Sequence, residues 1–236
     1  MKRILLAVLA ASCLGAPAVE NAAYKIEPID VPGEIVLEVG GLSFARDGKL
    51  MICTRRGEIW VFDEKAAAEK RWSRFAYGLH EPLGIIAVAP GEVVVMQRPE
   101  LTRVKDTNGD GTADSFETIS AAWGVSGNYH EFAYGPVLDR EGNFCGTLNL
   151  GTGADSFAKS EMASSVPYRG WSFKVTPGGE FLPWSTGLRS PNGIGLSPEG
   201  ELFATENQGG WVGTSMLFHL SKGAFHGHPA GLHWDA

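Results

Sequence analysis

The chain has 236 residues, 44% of them hydrophobic, with 20 Lys and Arg against 27 Asp and Glu and a formal net charge of −7. An acidic balance without a basic cluster excludes a nucleic-acid interface built on neutralising phosphates. The three cysteines are too few for a disulfide-stapled module, and no apolar run reaches the roughly 18–20 residues that cross a bilayer as a helix.

The chain opens with Lys2 and Arg3, an apolar run from Ile4 to Leu14, and the small-residue pattern Ala16-Pro17-Ala18. This order predicts a secretory signal peptide over residues 1–18, cleaved after Ala18, and a secreted or periplasmic mature domain over residues 19–236. Cys13 would leave with the signal. Cys53 and Cys145 fall in different repeats and read as two separate half-buried thiols rather than a bridge.

The mature region is punctuated by glycine and proline between short runs of Val, Ile, Phe and Leu, the pattern of an all-β protein. Its best helical window, Glu64 to Arg74, is short and reads as a turn or loop. Four segments repeat one motif, an apolar strand, a tight glycine turn and a second apolar strand. They start at Gly41, Leu83, Phe132 and Asn192, with turn glycines Gly48, Gly91, Gly142 and Gly200 spaced 43, 51 and 58 residues apart. Strand repeats of this period predict β-propeller blades, about four in this chain. The alternative is a β-sandwich with several similar hairpins. The chain stops at Trp234-Asp235-Ala236 without a closing strand, so it reads as a propeller incomplete at its C-terminus.

Between the second and third repeats lies DTNGDGTADSFE, Asp106 to Glu117. As a twelve-position loop it offers side-chain oxygens at Asp106, Asn108, Asp110, Asp114 and Glu117, the carbonyl of Thr112, and Gly111 at the bend. That is the EF-hand pattern of hard oxygen donors suited to Ca²⁺. The flanking LTRVK and TIS read as strands, so the loop is expected to stand between two strands of a blade and to play a structural part. A polar turn that binds nothing is the alternative.

Three later segments carry a resemblance. NYHEFAYGPVLDREGNFCGTLNLGTG from Asn128, TGLRSPNGIGLSPEGELFATENQGGW from Thr186 and SMLFHLSKGAFHGHP from Ser215 resemble, in order and spacing, the glucose/sorbosone dehydrogenase family. The resemblance implies a six-bladed propeller with pyrroloquinoline quinone on its top face beside a calcium ion. It implies His130 as the general base that takes the substrate hydroxyl proton and Arg189 as a cofactor contact, with Asn192, two residues beyond Ser190, as the cofactor-binding asparagine that could compensate there. It also implies an aldose or polyol as the small-molecule substrate, with the electron acceptor left open. The chain departs from the family pattern at Ser190, where an asparagine is expected, and after Asn207, where paired aspartates are missing. These departures keep open a non-catalytic, calcium-stabilised binding or scaffold propeller. A lactonase-type propeller hydrolase would draw calcium ligands from several blades, which the contiguous loop at Asp106 matches poorly. His226 and His228 have the spacing of a metal pair but read as a turn between strands. The tryptophans fit either a sugar site or blade packing.

Overall fold

Sequential antiparallel pairing dominates the architecture: among the described residues, fifteen strands form four sheets, each a meander in chain order. The computed structural model describes residues 25–151, 164–208 and 213–234. The signal segment, residues 1–18, and Cys13 lie outside the described residues. Contacts divide the chain into two units, Met1–Val36 and Leu37–Ala236. In the first, the Ile35 amide donates to the Pro32 carbonyl at 2.9 Å. The second holds all the described strands.

The first sheet contains β1 (Val39–Phe44), β2 (Leu50–Thr54), β3 (Ile59–Phe62) and β4 (Trp72–Ala76). The second contains β5 (Ile85–Ala89), β6 (Glu92–Met96), β7 (Leu101–Lys105) and β8 (Ser115–Ser120). The third contains β9 (Ala133–Leu138), β10 (Phe144–Leu148), β11 (Trp171–Val175) and β12 (Phe181–Thr186). The fourth has three described strands, β13 (Ile194–Leu196), β14 (Leu202–Glu206) and β15 (Met216–His219). This is the four-blade β-propeller arrangement that the repeat predicts. Each repeat supplies the first two strands of a blade. The segment Glu64 to Arg74 holds only a 3-10 turn, Ala68–Lys70, and runs into β4.

The turn glycines explain the regularity. Gly48, Gly91, Gly142 and Gly200 have φ of +89°, +67°, +84° and +93°, the left-handed region that tight hairpins require and that side chains resist.

Strand periodicity then builds the cores between blades. In β6, Val93 and Val95 pack against Met51, Cys53 and Ile59 of the first blade. Their neighbours Val94 and Met96 point the other way, against Phe144, Leu148 and Phe173 of the third. One central strand therefore serves two cores, because successive side chains alternate faces. A third cluster joins Cys145 to Leu188, Leu202, Ala204 and Leu220 around the fourth blade. Each buried aliphatic side chain contributes about 1.5–3 kcal/mol.

The innermost strands β1, β5, β9 and β13 pack side by side at the centre and line a narrow space of about 190 Å³. A Cβ on Gly84 would stand 1.5 Å from the Gly135 carbonyl oxygen, so β5 and β9 approach as closely as they do only because that residue has no side chain.

Both described cysteines are buried and free, Cys53 in the first blade and Cys145 in the third. Burial pushes each thiol up to about 12. After β15 the chain returns alongside β12, where Thr186 bridges Phe225 in parallel. His226 there meets Ser185 Oγ through Nε2 at 3.1 Å, and His228 Nδ1 accepts from the Ala230 amide at 3.2 Å.

Candidate active site

An antiparallel meander sends its connections alternately to opposite ends. Turns after the first and third strand of each blade share one end. Connections after the second strand, and those between blades, share the other. The second end gathers His130, from the segment entering β9, with Asn149 after β10, Asn192 before β13, and Glu206 and Asn207 at the end of β14. These residues line one cleft of about 450 Å³, together with Phe132, Tyr134, Ser190, Thr205 and Ser215.

His130 is held from below. Its amide donates to Asn128 Oδ1 at 3.0 Å, and its ring meets Tyr129 edge-on at 4.9 Å between centroids. The segment that carries it is pinned by two buried arginines. Arg98 donates to the carbonyls of Glu131 and Asn128 and to Glu81 Oε2. Arg169, fully buried, donates to the carbonyls of Gly124, Phe132 and Arg98 at 2.9, 2.8 and 3.2 Å. Burial pushes its guanidinium down, and the charge of Glu131 opposes that shift. Glu131, also fully buried, accepts from the Ser126 amide at 2.6 Å and from Ser164 Oγ.

The other wall is organised by Glu206, which is 4% exposed. Its carboxylate accepts from the amides of Arg189 and Ser190, both at 2.7 Å, and from its neighbour Asn207 at 2.8 Å. Three converging N–H groups suit a buried carboxylate and hold the Arg189–Ser190 backbone at the cleft. Asn192 reaches the same wall, its amide donating to the Thr205 carbonyl at 3.1 Å. The structure thus brings His130 and Asn192 together, with the Arg189 backbone behind them; the Arg189 side chain is not among the cleft's lining groups. None of the described tryptophans lines the cleft. Trp123 packs instead between the second and third blades.

The Asp106–Glu117 loop joins β7 to β8, a third-to-fourth-strand connection, and so lies at the opposite end. It borders a separate cavity of about 480 Å³ between the first two blades. An ion held there cannot be the calcium that the family resemblance places beside a quinone. The loop is closed by its own bonds. Asp106 accepts from the Gly109 and Gly111 amides at 2.7 and 2.8 Å, Asn108 Oδ1 from Asp110 at 2.9 Å, and Asp110 Oδ1 from Thr112 at 2.8 Å. The Thr107 amide and hydroxyl bind Asp114 and hold its carboxyl below the ordinary value. Glu117, the expected twelfth-position ligand, sits in β8, 3.7 Å from both Arg103 and Lys105. Among the described residues, no group of three or more His, Cys, Asp or Glu side chains converges as a metal site. Strand pairing therefore places Glu117 on the β7 ladder rather than over the loop.

Sequence reasoning missed Arg98, Arg169, Tyr134 and Asn149. The signal for Arg169 lies in Tyr168-Arg169-Gly170-Trp171, where an arginine enters a strand between an aromatic and a glycine. That pattern favours burial over a solvated cation.

Residues 62–230 match the family described as Domain of unknown function (DUF7133). No curated protein matches the chain. Among solved structures it is similar to an oxidoreductase of Thermus thermophilus assigned as a glucose dehydrogenase, at 21% identity and TM-score 0.63, covering 82% of this chain and 65% of that one. It is similar also to the aldose sugar dehydrogenase of Streptomyces coelicolor in its quinone-bound form, at 19% identity and TM-score 0.60, covering 82% and 63%. A third is the calcium structure of a Trichoderma reesei carbohydrate-active enzyme of family AA12, at 14% identity and TM-score 0.53, covering 79% and 53%. The chain spans less than two thirds of the length of these proteins. At such identities the likeness is one of fold, and at that level it agrees with the resemblance drawn from the sequence.

Proposed function

This chain belongs to the DUF7133 family, and from that premise we propose that it is an exported sugar or alcohol dehydrogenase that uses pyrroloquinoline quinone. The single observation that carries the reading is the meeting of His130 and Asn192 in one cleft, beside the Arg189 backbone, at the end of the propeller formed by the inter-blade connections. Fold alone would not support an activity.

The size of the cleft and its polar lining support a place for the quinone. Its volume lies within the range usual for small-molecule sites. The side-chain carboxamide of Asn192, and the guanidinium of Arg189 once turned into the cleft, would meet the cofactor's anionic oxygens, Arg189 through a planar fork matched to carboxylates. When bound, the quinone would supply the two-electron acceptor for a hydride.

His130 performs the acid–base half. Its imidazole takes the proton of an aldose or polyol hydroxyl while the C–H bond breaks, leaving a carbonyl product. An imidazole suits this because its ordinary pKa lies close to neutral pH. Arg98, Arg169 and Glu131 keep the His130 segment from shifting, so the base does not have to be ordered at the moment of reaction.

Ca²⁺ would take a different place, the Asp106–Glu117 loop. Asp106, Asn108, Asp110 and Asp114 with the Thr112 carbonyl offer an all-oxygen shell of the kind that cation takes. Glu117 would exchange Arg103 and Lys105 for the ion to complete the set. At that end of the fold the ion would brace the first two blades, since the Ala113 amide donates to the Phe75 carbonyl at 2.7 Å.

Dye-coupled oxidation of a panel of aldoses and polyols by the quinone-loaded chain tests the reading. Turnover that disappears in His130→Ala, with quinone uptake retained, supports it. Calcium uptake without quinone uptake supports a binding propeller instead.

A further inference from the structure

Asn149 is 4% exposed and lines the cleft, yet its Oδ1 accepts no hydrogen bond among the described residues. Native proteins leave few buried polar atoms unpaired, because each forfeits its bonds to water without compensation. The neighbouring bond is long: Asn149 Nδ2 donates to Tyr134 Oη at 3.4 Å. That bond uses a lone pair of the phenol and leaves the phenolic proton to point elsewhere. Burial pushes the Tyr134 phenol up, with the charge of Glu206 adding to it, so the proton stays in place at neutral pH.

The two side chains are set by the sheet. Tyr134 pairs with Thr147 across β9 and β10, and the Asn149 amide donates to the Phe132 carbonyl at 3.0 Å. Together they leave an unmet acceptor, Asn149 Oδ1, and the phenolic donor of Tyr134 in the wall of the cleft. Reversing the carboxamide does not alter that balance: the phenol would then donate to Oδ1, leaving an N–H of Asn149 and a lone pair of Tyr134.

A group that donates and accepts at once answers such a pair, and a hydroxyl is that group. A quinone bearing carboxylates offers mostly acceptors. We infer that Asn149 and Tyr134 form the subsite that seats a non-reacting hydroxyl of the substrate, on the same cleft as His130. The assignment rests on the sugar-dehydrogenase reading for the identity of the substrate. Asn149 and Tyr134 are specificity residues, and neither takes part in proton transfer.

The test uses the 236-residue protein with Asn149→Leu, close in shape but without polar atoms, and Tyr134→Phe, which removes only the hydroxyl. Thermal melts identify a variant that fails to fold, and the other then carries the test. With quinone and Ca²⁺ supplied, the probes are D-glucose and its 2-, 3-, 4- and 6-deoxy derivatives, followed by calorimetry and by turnover. Each variant is expected to raise KM for glucose about tenfold, with a smaller change in kcat and unchanged quinone affinity. One deoxy sugar should be handled equally by wild type and variants, since it lacks the hydroxyl that the subsite seats. An unchanged KM, a parallel loss of quinone affinity, or equal penalties for all four deoxy sugars overturns the assignment. If the wild type takes up no quinone, the dehydrogenase reading fails by itself. Calorimetry of glucose on the quinone-free chain then decides: binding weakened in both variants sustains the subsite, and equal or absent binding overturns it.

Discussion

Replacing Arg169 by Met should unseat the segment that carries His130. The substitution keeps much of the aliphatic volume but removes three donors from the carbonyls of Gly124, Phe132 and Arg98. It also removes a positive charge that interacts with the buried carboxylate of Glu131. Each deprived carbonyl costs about 1–3 kcal/mol, and losing a charge that interacts with Glu131 is a further cost. Because these groups share one network the costs do not add, and the whole loss should be about 4 kcal/mol. For a chain of this size that lowers Tm by about 12 °C. Urea unfolding followed by tryptophan fluorescence measures it, and Trp123 is a built-in reporter: its Nε1 donates to the same Arg98 carbonyl at 2.8 Å. Arg169→Lys, which keeps the charge and loses the fork, should fall between. A loss under about 1 kcal/mol for Arg169→Met would place the substitution among ordinary surface changes and refute the reasoning.

Asp139 offers a pH test. Burial pushes its carboxyl up, but Lys174 at 2.8 Å and Asn143 outweigh that and hold it below its ordinary value. A depressed carboxyl stabilises fully above the unfolded pKa and loses that contribution as pH falls through the folded one. Asp139→Asn should therefore cost about 3 kcal/mol at neutral pH, and wild type and variant should converge as pH falls through the lowered folded pKa, as followed by denaturant unfolding at several pH values. Cys53 and Cys145, with thiols pushed up to about 12 by burial, should resist alkylation at mildly alkaline pH in the native protein and react once it unfolds, as peptide mapping would show. Millimolar Ca²⁺ should raise Tm, and Asp110→Asn should abolish that rise while leaving quinone affinity unchanged, because the loop and the cleft occupy opposite ends of the blades.

Strand identity and turn position were legible because they depend on local rules. Four glycines at positive φ mark four first turns, and the β6 alternation of Val93 to Met96 declares a strand buried on both faces. The outer strands were harder to see. β4 and β8 carry mixed sequences such as WSRFA and SFETIS, where half the residues face water and alternation is weak. The cleft was legible in part. His130 and Asn192 stood out through the resemblance, and the structure brings them together. Asn149 and Tyr134 did not, because what distinguishes them is an unmet hydrogen bond across two paired strands, which no linear pattern contains. Glu117 shows the opposite case. Its spacing from Asp106 matches a loop ligand, yet pairing of β7 with β8 sets it opposite Arg103, and ladder geometry prevails over spacing.

The most direct test of the central claim is a crystal structure of the chain soaked with pyrroloquinoline quinone. The account predicts ring density in the cleft between His130 and Asn192, with the Arg189 guanidinium turned onto a cofactor carboxylate. A cleft left empty under saturating quinone, or quinone density at the Asp106 end of the blades, would contradict it.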